Sequence, residues 1–261
     1  MPAFAADMAV KAPPPPVAIP APSWNGLYVG GNLGYAWGGN STVTTSGLDN
    51  TATYFTSNFM PPVSFDASGL LGGFQAGYNW TSSGWLVGVE TDFNFSNIRG
   101  SGTIPTTTDF ASVAYNADEK IEWFGTLRAR AGILVTPALL LFGTGGFAYG
   151  KVNQSATLSL TSKTGFSAGD PPDADVYCEP SNRTCYTGNS NRVATGWTAG
   201  GGIEYMIWKN WTAKVEYLFV DLGSNSFISN APTTAFASSA VHVGYNSTTF
   251  QTVRAGVNLH F

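Results

Sequence analysis

The sequence predicts an all-β chain: an eight-stranded antiparallel up-and-down transmembrane β-barrel preceded by a disordered Pro-rich N-terminal segment. Three observations carry this expectation. Charged residues occupy 11% of the 261 positions, aromatics 14%, and 31 residues are glycine, whereas an ordinary soluble domain is about 25% charged. Polar and apolar residues alternate with period two, the mark of strands whose two faces meet different surroundings. The connections between those strands alternate between short and long, as in barrels with tight turns at one membrane surface and loops at the other.

Residues 1–5 read as the remnant of a signal peptide. Ala3-Phe4-Ala5 fits a small-x-small cleavage site, although no charged n-region or apolar h-region precedes it. Residues 6–23, with Pro13-Pro14-Pro15-Pro16, form a Pro-rich periplasmic tether, a composition that favours extended polyproline II and cannot build a core. The barrel is expected over 24–261.

Six of its strands alternate clearly. Gly26–Trp37 sets Leu27, Val29, Leu33, Tyr35 and Trp37 against Tyr28, Gly30, Asn32, Gly34 and Ala36. Trp85–Phe95 sets Trp85, Val87, Val89, Phe93 and Phe95 against Glu90, Asp92 and Asn94. Ile121–Ile133 sets Ile121, Trp123, Leu127, Ala129 and Ile133 against Glu122, Thr126, Arg128 and Arg130. Trp197–Ile207, Trp211–Phe219 and Thr248–Phe261 behave alike, with Glu204, Lys214, Glu216, Arg254 and His260 on their polar faces. Gly69–Trp80 and Ala138–Gly150 alternate less cleanly and bring the count to eight.

Strands of this length suit a tilted bilayer crossing, which needs about 9–11 residues. Aromatics such as Tyr35, Trp85, Trp123, Tyr149, Trp197, Trp211 and Tyr217 fall where a girdle would meet the membrane–water interface. Short turns are expected at Thr81–Gly84, Val135–Pro137 and Trp208–Asn210, and four long extracellular loops at 38–67, 97–118, 151–194 and 223–247. Ala131–Gly150 is uncharged and long enough to cross as a helix. Pro137 in its interior, however, would cost roughly 3 kcal/mol, so it reads as two strands joined by a turn.

The strand charges face away from the apolar side. Glu90, Asp92, Glu122, Arg128, Arg130, Glu204, Lys214, Glu216 and Arg254 are five acids and four bases. An eight-stranded interior is just wide enough for side chains to fill it, and buried charges there must be paired. A plugged lumen with an ion-pair network is therefore expected, and a conduction path lined by charge rings is its rival. Read as an acid/base couple, Glu90 and Asp92 lack a nucleophile, a cleft or a partnering histidine, so no catalysis is expected.

Cys178 and Cys185 fall in the longest expected loop, where an oxidising compartment would join them. Nearby Asp170, Asp173, Asp175 and Glu179 lack the register of a calcium loop, so no metal site is expected. His242 and His260 are the only histidines, and either could in principle ligate haem iron. No cofactor is expected. The net charge of −4 without a basic patch excludes nucleic acid as a partner. Membrane lipid is the expected surrounding.

Several motifs, in order along the chain, resemble the small outer-membrane immunogenic proteins (surface antigens) of alphaproteobacteria. They are Pro2-Ala3-Phe4-Ala5-Ala6-Asp7, Trp24-Asn25-Gly26-Leu27-Tyr28-Val29-Gly30-Gly31 and Gly72-Gly73-Phe74-Gln75-Ala76-Gly77-Tyr78-Asn79-Trp80. Gly125-Thr126-Leu127-Arg128-Ala129-Arg130 and Val253-Arg254-Ala255-Gly256-Val257-Asn258-Leu259-His260-Phe261 complete the set. The resemblance implies an eight-stranded barrel of the bacterial outer membrane, inserted by the barrel-assembly machinery, which reads a final strand ending in phenylalanine, here Phe261. It also implies an envelope-structural, antigenic role with loops open to a host or extracellular ligand. Some relatives are described as porin-like or haem-binding, and no catalytic residues carry over.

Overall fold

The computed structural model describes residues 24–107, 111–163, 178, 184–232 and 239–261. The expected signal remnant and tether lie outside the described residues, as do Asp170, Asp173, Asp175 and Glu179. The strands are β1 (Gly26–Trp37), β2 (Ser41–Gly47), β3 (Val63–Phe65), β4 (Gly69–Ser82), β5 (Trp85–Thr107) and β6 (Ala111–Thr136). They continue as β7 (Leu139–Lys163), β8 (Thr184–Trp208), β9 (Trp211–Asp221), β10 (Asn225–Asn230), β11 (Ala240–Tyr245) and β12 (Thr249–His260), and the one helix among the described residues is α1 (Asn50–Phe59).

Eight strands close a ring in the order β1, β4, β5, β6, β7, β8, β9, β12 and back to β1, with every pairing antiparallel. Closure gives each backbone donor and acceptor a partner without water, which hydrocarbon surroundings require. No helix among the described residues is long and apolar enough to cross a membrane. Ala131–Gly150 is indeed two strands, β6 and β7, turning at Pro137-Ala138. Between β4 and β5 the turn is Ser83-Gly84, with φ of 49° and 84°. Two positive φ angles match the right-handed twist of a two-residue hairpin, and glycine takes the second at little cost.

Outside, the ring is apolar. Leu33, Leu70 and Phe74 are 75%, 71% and 71% exposed, and the belt they belong to far exceeds the few hundred Å² of contiguous apolar surface usual on a soluble monomer. Stacked, tilted and edge-to-face rings border the belt at the long-connection end, among them Tyr35 with Trp37, Phe93 with Trp123, Trp123 with Tyr149 and Trp197 with Phe219. At the short-turn end Trp80, Trp85, Trp208 and Trp211 are exposed. Phe261 is exposed beside them, its N–H donating to the Leu27 carbonyl at 2.9 Å.

The structure departs from the expected loops. β5 through β8 run 23 to 26 residues, so much of 97–118 and 151–194 is strand. The segments 38–67 and 223–247 contribute β2, β3, α1, β10 and β11, and β2, β10 and β11 extend the sheet through pairings β2–β3, β2–β11, β10–β11 and β8–β10. Loop composition is Ser/Thr/Asn-rich there because both faces of these strands leave the hydrocarbon zone, which hides them from a reading that seeks an apolar face. Phe55 and Phe59 of α1 turn inward onto Val43, Tyr115, Leu158 and Tyr186. Cys178 and Cys185 form a disulfide buried in this same upper core, with Cys185 inside β8 rather than on a surface loop.

Candidate functional site

The interior is layered along the barrel axis. Nearest the short turns, Trp24, Leu86, Leu140, Phe142 and Met206 make an apolar floor, and the Trp24 indole N–H donates to the Pro137 carbonyl at 3.0 Å. Above the floor lies a charged layer, and above that a second apolar layer that includes Leu71, Ile98, Phe124, Leu218 and Phe250. Phe124 and Phe250 cross it edge-on, 5.2 Å between ring centroids. Glu119 sits buried beyond them, accepting from Ser41 Oγ at 3.1 Å, Gln154 Nε2 at 2.6 Å and Thr248 Oγ1 at 2.8 Å.

The charged layer is built by inward positions of β5, β6, β8, β9 and β12. The Arg128 guanidinium reaches Glu90, Asp92 at 2.9 Å and Glu216 at 2.5 Å. Arg254 binds Asp92 at 2.8 Å and Glu216 at 2.7 Å. Lys214 lies 2.9 Å from Glu90, and Arg130 binds Glu204 at 2.7 Å. Neutral donors fill remaining lone pairs: Tyr28 Oη to Glu90 at 2.6 Å, Thr126 to Asp92 at 2.7 Å, and Thr212 and Asn258 to Glu204 at 2.5 and 2.7 Å. All eight of these charged side chains are at most 2% exposed. Arg130 Nε and Arg254 Nη1 make no hydrogen bond, but every carboxylate is paired with a cation, and such pairing is what allows charges to persist in a low-dielectric interior.

Room for these long side chains comes from glycine. Arg254, Arg130, Arg128, Glu216, Glu90 and Lys214 each face a glycine directly across a strand pair: Gly34, Gly88, Gly146, Gly202, Gly77 and Gly256. A Cβ at Gly34 would lie 2.7 Å from the Arg254 Cβ and 2.5 Å from the Val253 carbonyl oxygen.

Glu122 requires a correction. It does not enter the lumen; it pairs with Lys120 at 3.1 Å and Lys151 at 3.6 Å with about a third of its side chain exposed. The cause is a β-bulge where Ile121 pairs Val152 and Trp123 pairs Lys151, leaving Glu122 as the extra residue. A bulge reverses the inside–outside alternation beyond it, so Ile121, expected outward, is buried within the second apolar layer. With Glu122 outside, the layer holds four acids (Glu90, Asp92, Glu204, Glu216) against four bases (Arg128, Arg130, Lys214, Arg254).

His260 is also interior, stacked on Tyr28 at 5.2 Å with its Nε2 3.5 Å from Glu204, while His242 is exposed on β11. No group of three or more metal-ligating side chains gathers among the described residues. Tyr28, Thr126, Thr212 and Asn258 were missed as network members, although each lies on its strand's inward face, and Glu119 was missed because it lies one residue beyond an expected loop.

A closed ring, an apolar belt edged with aromatics and a polar, charge-balanced interior define an integral membrane β-barrel. The chain belongs to the outer membrane protein beta-barrel domain family, whose model matches residues 3–261, and it resides in the bacterial outer membrane. It is 38% identical over 99% of its length, and 93% of the relative's, to the 31 kDa outer-membrane immunogenic protein of Brucella melitensis. Similarity to the 22 kDa outer membrane protein of Rhizobium leguminosarum is 29% over 80% of this chain and 69% of that protein. Among solved structures, the outer membrane protein OprG of Pseudomonas aeruginosa aligns at a TM-score of 0.48 and 12% identity, covering 91% of this chain and 97% of that one.

Proposed function

We infer that this chain is an envelope-structural surface antigen with a lumen closed to solutes, rather than an enzyme or a channel. The observation that carries the closed lumen is the charged layer: eight paired charges stacked between two apolar layers. Water columns and ions need a continuous polar path, and each apolar layer interrupts one. The antigenic role rests on the relatives named as immunogenic outer-membrane proteins. In this reading the long-connection end, with α1 and the disulfide, faces the exterior. The short turns face the periplasm, residues 1–5 are a signal remnant, 6–23 a periplasmic tether, and Phe261 the residue read by the assembly machinery.

Planar-bilayer recording of the purified protein tests the closed lumen. Absence of single-channel steps is expected, and regular unitary conductance would overturn it. Protease accessibility on intact cells tests orientation: cleavage is expected at the long-connection end, and none at the short turns.

A further inference from the structure

Just beyond the aromatic girdle the outer face of β5, β6 and β7 carries cations at unusual spacing. Arg99 and Lys120 are direct cross-strand partners, and like charges placed opposite one another in a sheet repel. Lys151 lies on the adjacent strand, and Lys120 and Lys151 both lean on the one carboxylate of the bulged Glu122. These cations stand directly above Trp123, which pairs with Lys151 across the strands and packs against Phe93 and Tyr149. Continuing outward, a polar hollow of about 680 Å³ crosses β5 to β8, lined by the cations Arg99 and Lys120, the carboxylates Asp66, Asp118 and Glu119, and amides and hydroxyls such as Asn153 and Asn189.

We propose that this band is a docking site for a phosphorylated glycolipid of the outer leaflet, with Arg99, Lys120 and Lys151 on its phosphates and the Asn/Ser/Asp hollow on its sugar hydroxyls. Three facts meet there: three cations on adjacent strands with the single carboxylate of Glu122 between the two lysines, a row of amide, hydroxyl and carboxylate groups suited to sugars, and direct continuity with the surface that lipid tails cover. Ammonium and guanidinium groups make charge-assisted hydrogen bonds to phosphate oxygens, and at the edge of hydrocarbon these are less screened than in bulk water. Glu122 holds the lysines in place when the site is empty and competes with the phosphate when it fills. The proposal rests on the long-connection end facing the exterior.

The test is native mass spectrometry of the full chain released from detergent micelles, after titration with a synthetic bisphosphorylated diglucosamine lipid. Its dephosphorylated analogue, phosphatidylglycerol and inorganic phosphate are parallel probes. Expected is retention of the bisphosphorylated lipid about tenfold above each other probe, lost in R99A/K120A/K151A and raised in E122Q. Equal retention of phosphatidylglycerol or phosphate, or full retention by the triple variant, overturns it. Heat-modifiable migration of each variant and cell-surface proteolysis report separately on the barrel and its orientation, so a failed orientation is recognised as such.

Discussion

Arg254 on β12 and Asp92 on β5 stand 162 residues apart in the chain and meet at 2.8 Å inside the barrel. They belong to strands separated by β4 and β1 around the ring, so the contact ties opposite parts of the wall through the lumen. Removing one member of such a pair leaves a buried charge without its partner, which costs about 3–5 kcal/mol, whereas replacing both by apolar groups is often neutral.

Arg254→Met should therefore lower the urea midpoint of unfolding in detergent micelles, by an amount corresponding to about 3–5 kcal/mol. Arg254→Met combined with Asp92→Asn should recover part of that loss. Glu122→Gln is the contrast, because an exposed ion pair contributes little: its midpoint should match wild type. A wild-type midpoint for Arg254→Met would contradict the interior pairing.

Gly34→Ala should destabilise by about 1–3 kcal/mol, the usual cost of overpacking, because the new methyl meets Arg254 and the Val253 carbonyl. Gly31→Ala points its methyl outward, in ordinary van der Waals contact at 3.7 Å with the Gly73 carbonyl oxygen. That variant should migrate and unfold like wild type on a detergent gel run before and after boiling.

Asp49 caps α1 and clamps it to β11. Its carboxylate accepts from the Ala52 N–H at 2.9 Å, the Ser239 hydroxyl at 3.1 Å and the Ala240 N–H at 3.0 Å. Burial works to raise this carboxyl, but those donors together hold it below the usual carboxylate range. A depressed folded-state value contributes stability above the unfolded value that is lost as pH falls through the folded one. Amide protection across 50–59, relative to the intrinsic exchange rate at each pH, should fall as the medium is acidified below about pH 4. Asp49→Asn should keep the cap and lose the pH dependence, while Asp49→Ala should cost about 1 kcal/mol at neutral pH.

Replacing Cys178 and Cys185 with alanine should loosen the upper core by about 2–3 kcal/mol, the loop-entropy value for so short a closed loop. Heat-modifiable migration of the barrel should persist, because the disulfide lies in the upper core and not in the charged layer. Limited proteolysis near β8 should be faster in the variant. Loss of the heat shift would show that the upper core and the ring unfold as one unit.

Alternation made the membrane-crossing part of six of the eight ring strands plainly legible, since lipid outside and charge inside impose period two, while the glycine-rich Gly69–Trp80 and Ala138–Gly150 were placed mainly by spacing. Gly26–Trp37 was read to the residue and Trp211–Phe219 to within two. Legibility stopped where the outer face turned polar: Ser101 and Asn116 are as much strand as Val89, but no contrast between faces marks them. The bulge at Glu122 escaped for a related reason, because a single inserted residue looks like ordinary alternation until the partner strand fixes the register. The pairing pattern of the interior was beyond the sequence altogether. It depends on which strands face one another, and only the glycines opposite the long side chains hinted at it.

The position of Arg254 has a consequence for assembly. β12 is the final strand in the chain and joins β9 to β1. Without it, the charged layer would hold Glu90, Asp92, Glu204 and Glu216 against Arg128, Arg130 and Lys214, four negative charges to three positive. The strand that links β9 to β1 therefore also carries the cation that balances the layer. A wall lacking β12 is penalised twice, at its unpaired edge and in its uncompensated charge.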